Sequence, residues 1–337
     1  MNLPRRLIAS AVLLTSVVAG THGQQVAAAT VDTATKAQVI DLALAQLRKA
    51  YIFAETAEKM SVAIRARVTA KDYDTITSAQ EFADRLTRDL QDVSHDKHLR
   101  IRYAPEGLPA RPEQPTAAER AQALAAERQR NFGFERVERL DGNVGYIDLR
   151  GFSGSPESRG AAVAAMKVVA DTDALIFDLR RNGGGSPFMI GLLCSYLFDD
   201  AVHLNDFYVR ESDSHQEFFT TKEVEGRKFG QSKPVFILTS ARTFSAAEEF
   251  TYDLKHLKRA TVVGETTGGG AHPGGLRRLT DHFGIWLPTG RAINPITRTN
   301  WEGTGIEPDI KTPALDALDA AHREALRRIK KELAAGS

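Results

Sequence analysis

The chain has a single cysteine in 337 residues, Cys194, so it forms no internal disulfide and has no thiolate cluster to hold zinc or an iron–sulfur group. Net charge is nearly absent as well. Forty-four Lys and Arg against 43 Asp and Glu leave +1, which removes the global field that draws a protein to nucleic acid or anionic lipid. Beyond residue 29 no apolar run is long enough to cross a membrane, so no membrane span is expected in a mature chain. Also missing are the Gly-x-Ser-x-Gly elbow of the α/β-hydrolases and the Gly-Lys-Ser/Thr ending of a nucleotide phosphate loop. What remains, 42% hydrophobic and 26% charged, is the composition of a globular chain with room for one large domain or two modest ones.

Residues 1–29 read as an export signal: Arg5 and Arg6 open it, Leu7–Ala19 is a short apolar core, and small residues follow. The expected location is therefore extracytoplasmic, periplasmic or secreted. Residues 30–103 read as a small helical domain that ends in a strand. Ile40, Leu44, Leu47 and Tyr51 fall at helical spacing, as do Met60 and Ile64 on a second stretch. A third helix opens at Ser78-Ala79-Gln80-Glu81, a capping-box sequence, and carries Phe82, Leu86, Leu90 and Val93 on one face. Leu99, Ile101 and Tyr103 then alternate with Arg100 and Arg102, as a half-buried strand requires.

Residues 104–130, rich in Pro, Ala, Glu and Arg, read as a linker carrying a solvated helix from Thr116. From 131 to 312 strand and helix patterns alternate: Val144–Phe152, Pro156–Ala170, Ala174–Leu179, Pro187–Phe198, Pro234–Thr239, Ser245–Leu257 and Ala260–Gly264. This alternation predicts an α/β fold with a largely parallel sheet. Residues 313–337 read as a closing amphipathic helix through Leu315, Leu318, His322, Leu326, Ile329 and Leu333.

Three loops follow strand ends, where sites in such sheets form. Asp178-Leu179-Arg180-Arg181-Asn182-Gly183-Gly184-Gly185 lets main-chain N–H groups approach an anion closely, as an oxyanion hole needs. Thr239–Phe250 is a strand, a turn and a helix, with Ser245 at the helix start. Ser245 and Glu248 have the capping-box spacing, so Ser245 reads either as a helix cap or as a nucleophile beside the Ala246 N–H. Gly264–Gly275 is too glycine-rich for a regular element and reads as a cleft wall or a surface loop.

The order Asp-Leu-Arg-x-Asn-x-Gly-Gly, Thr-x-Ser-Ala-Ala-Glu-Glu-Phe, Val-Val-Gly-Glu-Thr-Thr-Gly-Gly, and then Gly303-Thr304-Gly305-Ile306-Glu307-Pro308-Asp309 resembles the tail-specific (carboxy-terminal processing) serine peptidases. The resemblance implies a core like that of the crotonase and Clp-protease folds, with a small N-terminal helical domain. In the members that use a Ser-Lys dyad, the lysine stands where this chain has Gly270, so the dyad is absent. Only 32 residues separate His98 from Asn131, fewer than the roughly 50 an inserted PDZ domain needs. The chain instead resembles the branch of the tricorn protease core and the interphotoreceptor retinoid-binding protein repeats.

That resemblance places the base on His98, with His95 as the alternative, and a late carboxylate on Glu302, with Glu248 as the alternative. The chemistry agrees: a serine hydroxyl needs an adjacent base, and a carboxylate can hold the imidazole tautomer. The oxyanion hole is expected from Ala246 N–H with Gly184 or Gly185. His95 and His98 have a His-x-x-His spacing without a third ligand, and the chemistry calls for no metal and no cofactor. The expected reaction is peptide-bond hydrolysis through an acyl-enzyme on Ser245, with a polypeptide as the partner and no nucleic acid. Nothing in the sequence sets an oligomeric state. A non-catalytic binding protein for apolar ligands on the same fold is the alternative, and it predicts a deep apolar cavity. Cys194 and Trp301 read as packing residues.

Overall fold

The computed structural model describes residues 29–109 and 116–335, so the expected export signal lies outside the described residues except for its last position. Helices α1 (Thr33–Ala50), α2 (Ala54–Thr69) and α3 (Ala79–Ser94) come first. Their starts are set locally: Asp32 accepts the Thr35 N–H at 2.7 Å, and the Ser78 hydroxyl accepts that of Glu81 at 3.3 Å. Strand β1 (Arg100–Tyr103) follows, then α4 (Ala117–Gln129), which closes a capping box between Thr116 and Glu119 and buries no residue.

The rest of the chain runs β2 (Phe134–Leu140), β3 (Val144–Leu149), α5 (Ser158–Val169), β4 (Ala174–Asp178), α6 (Pro187–Ser195), β5 (His203–Val209), β6 (Ser214–Phe219) and β7 (Val235–Thr239). Then come α7 (Ala246–His256), β8 (Thr261–Gly264), β9 (Gly274–Arg278), β10 (Phe283–Pro288), β11 (Gly290–Ile293), β12 (Ile310–Lys311) and α8 (Ala317–Ala335).

The central sheet has the order β12-β8-β7-β4-β3-β2, parallel except for the β2–β3 pair. β3, β4 and β7 are buried along their whole length. The period of two sorts their side chains: Leu175 and Phe177 join the core beneath α5, α6 and α7, while Ala174 and Ile176 join the core beneath α8. Because β4, β7 and β8 are neighbours and parallel, the three loops at their carboxyl ends converge on one rim.

A second core ties the N-terminal helices to this body. Phe283, Ile285 and Leu287 of β10 pack among Leu44, Met60, Phe82 and Leu86, and β1 pairs antiparallel with β10, which pairs with β9. A third sheet, β11-β5-β6, flanks the body. The sequence pattern leaves β2, β5, β6, β9, β10, β11 and β12 without assignment. Gly274 and Gly275, expected in irregular loop, lie in β9, where β10 supplies the pairing partner. Among the described residues no helix is long and apolar enough to cross a membrane.

Candidate active site

Ser245 sits between β7 and α7 with φ 55° and ψ −124°, a conformation that costs a non-glycine residue backbone strain. The surroundings hold it there. Its N–H donates to the Glu248 carboxylate at 2.9 Å, the Phe244 N–H donates to Asn182 O at 3.1 Å, and the Thr243 hydroxyl donates to Leu179 O at 2.8 Å. Glu248 is fully buried and also accepts the Thr267 hydroxyl at 2.5 Å and the N–H groups of Gly269 and Gly270 at 2.7 and 2.8 Å. Burial pushes this carboxyl up, and those hydrogen bonds work against the shift. Glu248 therefore binds the serine's main chain to the glycine-rich loop, a capping-box contact extended across two loops.

Asn182 organises the glycine run in the same way. Its amide donates to Leu149 O at 2.9 Å, and its Oδ1 accepts the Gly184 N–H at 2.9 Å. The Gly184 N–H is thereby committed, whereas the N–H groups of Gly185 and Ala246 have no acceptor among the described residues. Gly184 has φ +111°, and a Cβ there would come within 2.8 Å of Ser245 Cβ and 3.0 Å of Ala246 N. Only glycine allows this approach of the run to the serine.

His98 arrives from the other core, on the three-residue bridge between Asp96 and β1. Its ring lies 4.6 Å from that of Phe244, the residue before Ser245, and the side chain is buried. Burial lowers its pKa to about 4; Asp96 opposes the shift, and His272 and Arg100 add to it. His98 and Ser245 line one cavity of about 740 Å³ together with Gly183, Gly185 and Phe244. The opposite wall is the outer face of the β1-β10-β9 sheet, where Arg100, Trp286 and Leu276 align across the strands. Arg102, Gln80 and Asp84 complete a mixed polar and apolar lining, unlike the deep apolar cavity a lipid-type carrier needs. A second cavity of about 720 Å³ shares Gly185 and continues past Gly184 and Phe152.

Among the described residues no hydrogen bond joins Ser245 to the His98 ring, and His98 Nδ1 is buried without a partner. His95 points elsewhere: it is exposed and ends α3 with φ 56°. Glu302 does not reach His98 directly. It belongs to a buried network centred on Asp96, whose Oδ1 accepts the His98 N–H at 3.0 Å. The other oxygen, Oδ2, accepts the Tyr51 hydroxyl at 3.1 Å and lies 2.9 Å from His272 Nδ1. Glu302 stands 3.5 Å from the same Nδ1 and accepts the Ala271 N–H at 2.5 Å. Burial raises Glu302 to about 7; His272 opposes, and Asp96 and Glu248 add to the rise. Trp301 anchors this segment by donating to Gly270 O at 2.8 Å.

Asp96, Tyr51 and His272 were not singled out by sequence. The only local signal was Asp96 two residues before His98; the pairing with Tyr51 and His272 spans distant segments. Asp96, His272 and Glu302 also place one ligand atom each within 4.8 Å of one another, as do His203, Asp206 and Glu217. In both groups the imidazole already bonds a carboxylate, at 2.9 Å and 2.6 Å. Cys194 is fully buried in the main core, and burial pushes its thiol up, so it packs rather than reacts.

Residues 143–312 match the profile described as "Peptidase family S41", and residues 28–132 match the "N-terminal domain of Peptidase_S41 in eukaryotic IRBP". A carboxyl-terminal-processing peptidase of Arabidopsis thaliana chloroplasts is 30% identical over 191 residues, covering 56% of this chain and 37% of the relative. The chain thus spans little more than a third of that relative's length. A crystal structure of a protein from Parabacteroides merdae superposes with TM-score 0.61 at 20% identity, covering 86% of this chain and 96% of the other. The tricorn protease superposes with TM-score 0.54 at 13% identity, covering 88% of this chain and 37% of the other. Both structures are likenesses of fold.

Proposed function

Because the chain belongs to peptidase family S41, we propose that it hydrolyses peptide bonds by acyl transfer to Ser245, with His98 as general base. The observation that supports this reading is the shared cavity: a strained Ser245, a neutral buried His98 and Gly185, whose N–H is uncommitted, line the same space, and the Ala246 N–H follows Ser245 directly in the chain. His98 takes the hydroxyl proton as Ser245 Oγ attacks the scissile carbonyl. The N–H groups of Gly185 and Ala246 receive the developing oxyanion, a contribution of about 10²–10³ in rate for each such donor. The proton then passes from His98 to the departing amine, and water activated by the same ring releases the acyl group.

Glu302 acts at one remove in this reading. Asp96 fixes the His98 main chain, and His272 links Asp96 to Glu302, so the late carboxylate sets the charge of the network behind the base. The substrate is a polypeptide that enters the cleft beside Arg100, Trp286 and Leu276 as an extended or flexible segment. Residues 1–29 carry the protein out of the cytoplasm.

Labelling with a serine-directed fluorophosphonate tests the assignment. The wild type is expected to take up one label on Ser245, and Ser245→Ala and His98→Ala are expected to lose it. A folded wild type that stays unlabelled from pH 5 to 9 would refute it.

A further inference from the structure

The cavity beside Ser245 carries positive charge that the proposed chemistry does not use. Arg100 and Arg102 of β1 both line it, exposed, while Ile101 between them packs into the second core. Neither guanidinium has a carboxylate partner among the described residues. Arg100 donates to the carbonyls of Lys97 and His98 at 3.2 and 3.4 Å, and the Arg102 guanidinium has no partner there. The one carboxylate of the lining, Asp84, accepts the Gln80 amide at 2.9 Å and pairs with neither arginine. With His98 neutral, this wall is left positive.

Other arginines of the same sheet are answered. On β9, Arg277 pairs with Glu211 at 2.6 Å and Arg278 pairs with Asp281. The unanswered pair instead stands next to exposed apolar surface: Arg100 faces Trp286 across the strands, Trp286 faces Leu276, and these two are 37% and 39% exposed. Arg100 and Arg102 lie two and four residues beyond His98, about 7 and 13 Å along extended chain. Arg100 also helps to lower the pKa of His98, so its charge reaches the base.

We propose that this wall selects polypeptide segments with a carboxylate two to four residues from the scissile bond, held by Arg100 and Arg102, and a large apolar side chain against Trp286 and Leu276. The guanidinium fork matches a carboxylate in two parallel hydrogen bonds. In an extended segment residues i and i+2 share a face about 7 Å apart, close to the roughly 5 Å between neighbouring strands, so one such pair can fill both places. The carboxylate can be an Asp or Glu side chain or the end of the substrate chain. With a net charge of only +1, the protein exerts this preference inside the cleft and not at long range. The inference rests on Ser245 as nucleophile and names the substrate class of its cleft.

The test is protection of Ser245 from fluorophosphonate by synthetic peptides, which reads occupancy of the cleft without a known cleavage site. Alanine-based peptides carry Phe and, two residues away, Glu or Gln, each with a free or an amidated C terminus. The wild type is expected to be protected at about tenfold lower concentration by the acidic form than by its amide counterpart. Whether Glu or the free C terminus confers that factor identifies the source of the carboxylate. In Arg100→Gln and Arg102→Gln the preference should fall to about twofold or less; being a ratio, it is insensitive to changes in overall reactivity. Replacing Phe by Ala should weaken protection in the wild type but not in Trp286→Ala. A labelled wild type that distinguishes no carboxylate from its amide overturns the inference alone, as does a preference that persists in both arginine variants. A folded wild type that takes no label refutes the peptidase reading, and this inference with it.

Discussion

A Cβ on Gly270 would lie 2.7 Å from Cε1 of His98 and closer still to the ring of Phe244. By the resemblance drawn from the sequence, Gly270 corresponds to the position at which members with a Ser-Lys dyad carry their lysine. In this chain the imidazole fills the space beside that position, so a base from the glycine-rich loop and a base from the N-terminal segment exclude each other sterically. The identity of one residue follows from the placement of the other.

Gly270→Ala is therefore expected to displace His98 and Phe244 without unfolding the protein. A shift of about 1 Å in a catalytic group costs about 10²-fold, and kcat/KM should fall by that order. Circular dichroism should remain unchanged. Wild-type activity in this variant would show that His98 is not the base.

The pH profile reads out the burial of His98. Its lowered pKa puts the acid limb of kcat/KM near pH 4 rather than near the ordinary histidine value of about 6.5. Stability follows the same displacement. Between about 6.5 and about 4 the unfolded chain binds the proton more readily, so the contribution of neutral His98 is complete above about 6.5 and is lost as pH falls toward 4. Glu302 titrates higher, near 7, and Glu302→Gln separates the two effects. If the acid limb of that variant lies at pH 6 to 7, the burial argument fails.

Asp96→Asn keeps an acceptor for the His98 N–H but replaces the oxygen that serves Tyr51 and His272 with a second donor or a weaker acceptor. A loss of about 2–4 kcal/mol in urea unfolding is expected, together with reduced kcat. Tyr51→Phe removes one hydrogen bond of the same network and should cost about 1 kcal/mol. Equal effects from the two variants would argue against Asp96 as the hub.

Ser245→Gly should abolish labelling and stabilise the fold. Glycine adopts φ 55° without strain, and relief of about 1 kcal/mol corresponds to about 2–4 °C in melting temperature. Ser245→Ala keeps the Cβ and the strain, so it should melt close to wild type. Calorimetry of the two variants side by side distinguishes strain from loss of the hydroxyl.

The elements legible in the sequence are those whose burial is set locally. Ala174–Asp178 and Val235–Thr239 are buried on both faces and so read as continuous apolar runs. Ser214–Phe219 is almost wholly exposed, and Gly274–Arg278 gains its pairing from β10, so neither shows a pattern of its own. The site divides in the same way. Ser245, Glu248 and the glycine run stand in short ordered motifs, and His98 follows a recognisable helix end. Asp96 and His272 lie 176 positions apart in the chain, and no local periodicity records their contact.

The second core, which joins α1, α2 and α3 to β10, has a consequence for assembly. The central sheet can in principle form with Ser245, Ala246 and Gly185 in place, yet His98 and Asp96 reach it only when the N-terminal helices have docked. In the proposed mechanism nucleophile and base thus sit beside different hydrophobic cores, Ser245 next to Ala246 of one and His98 next to Leu99 of the other, and reactivity requires that both have packed. A newly made chain would remain chemically silent until its first and last thirds had met.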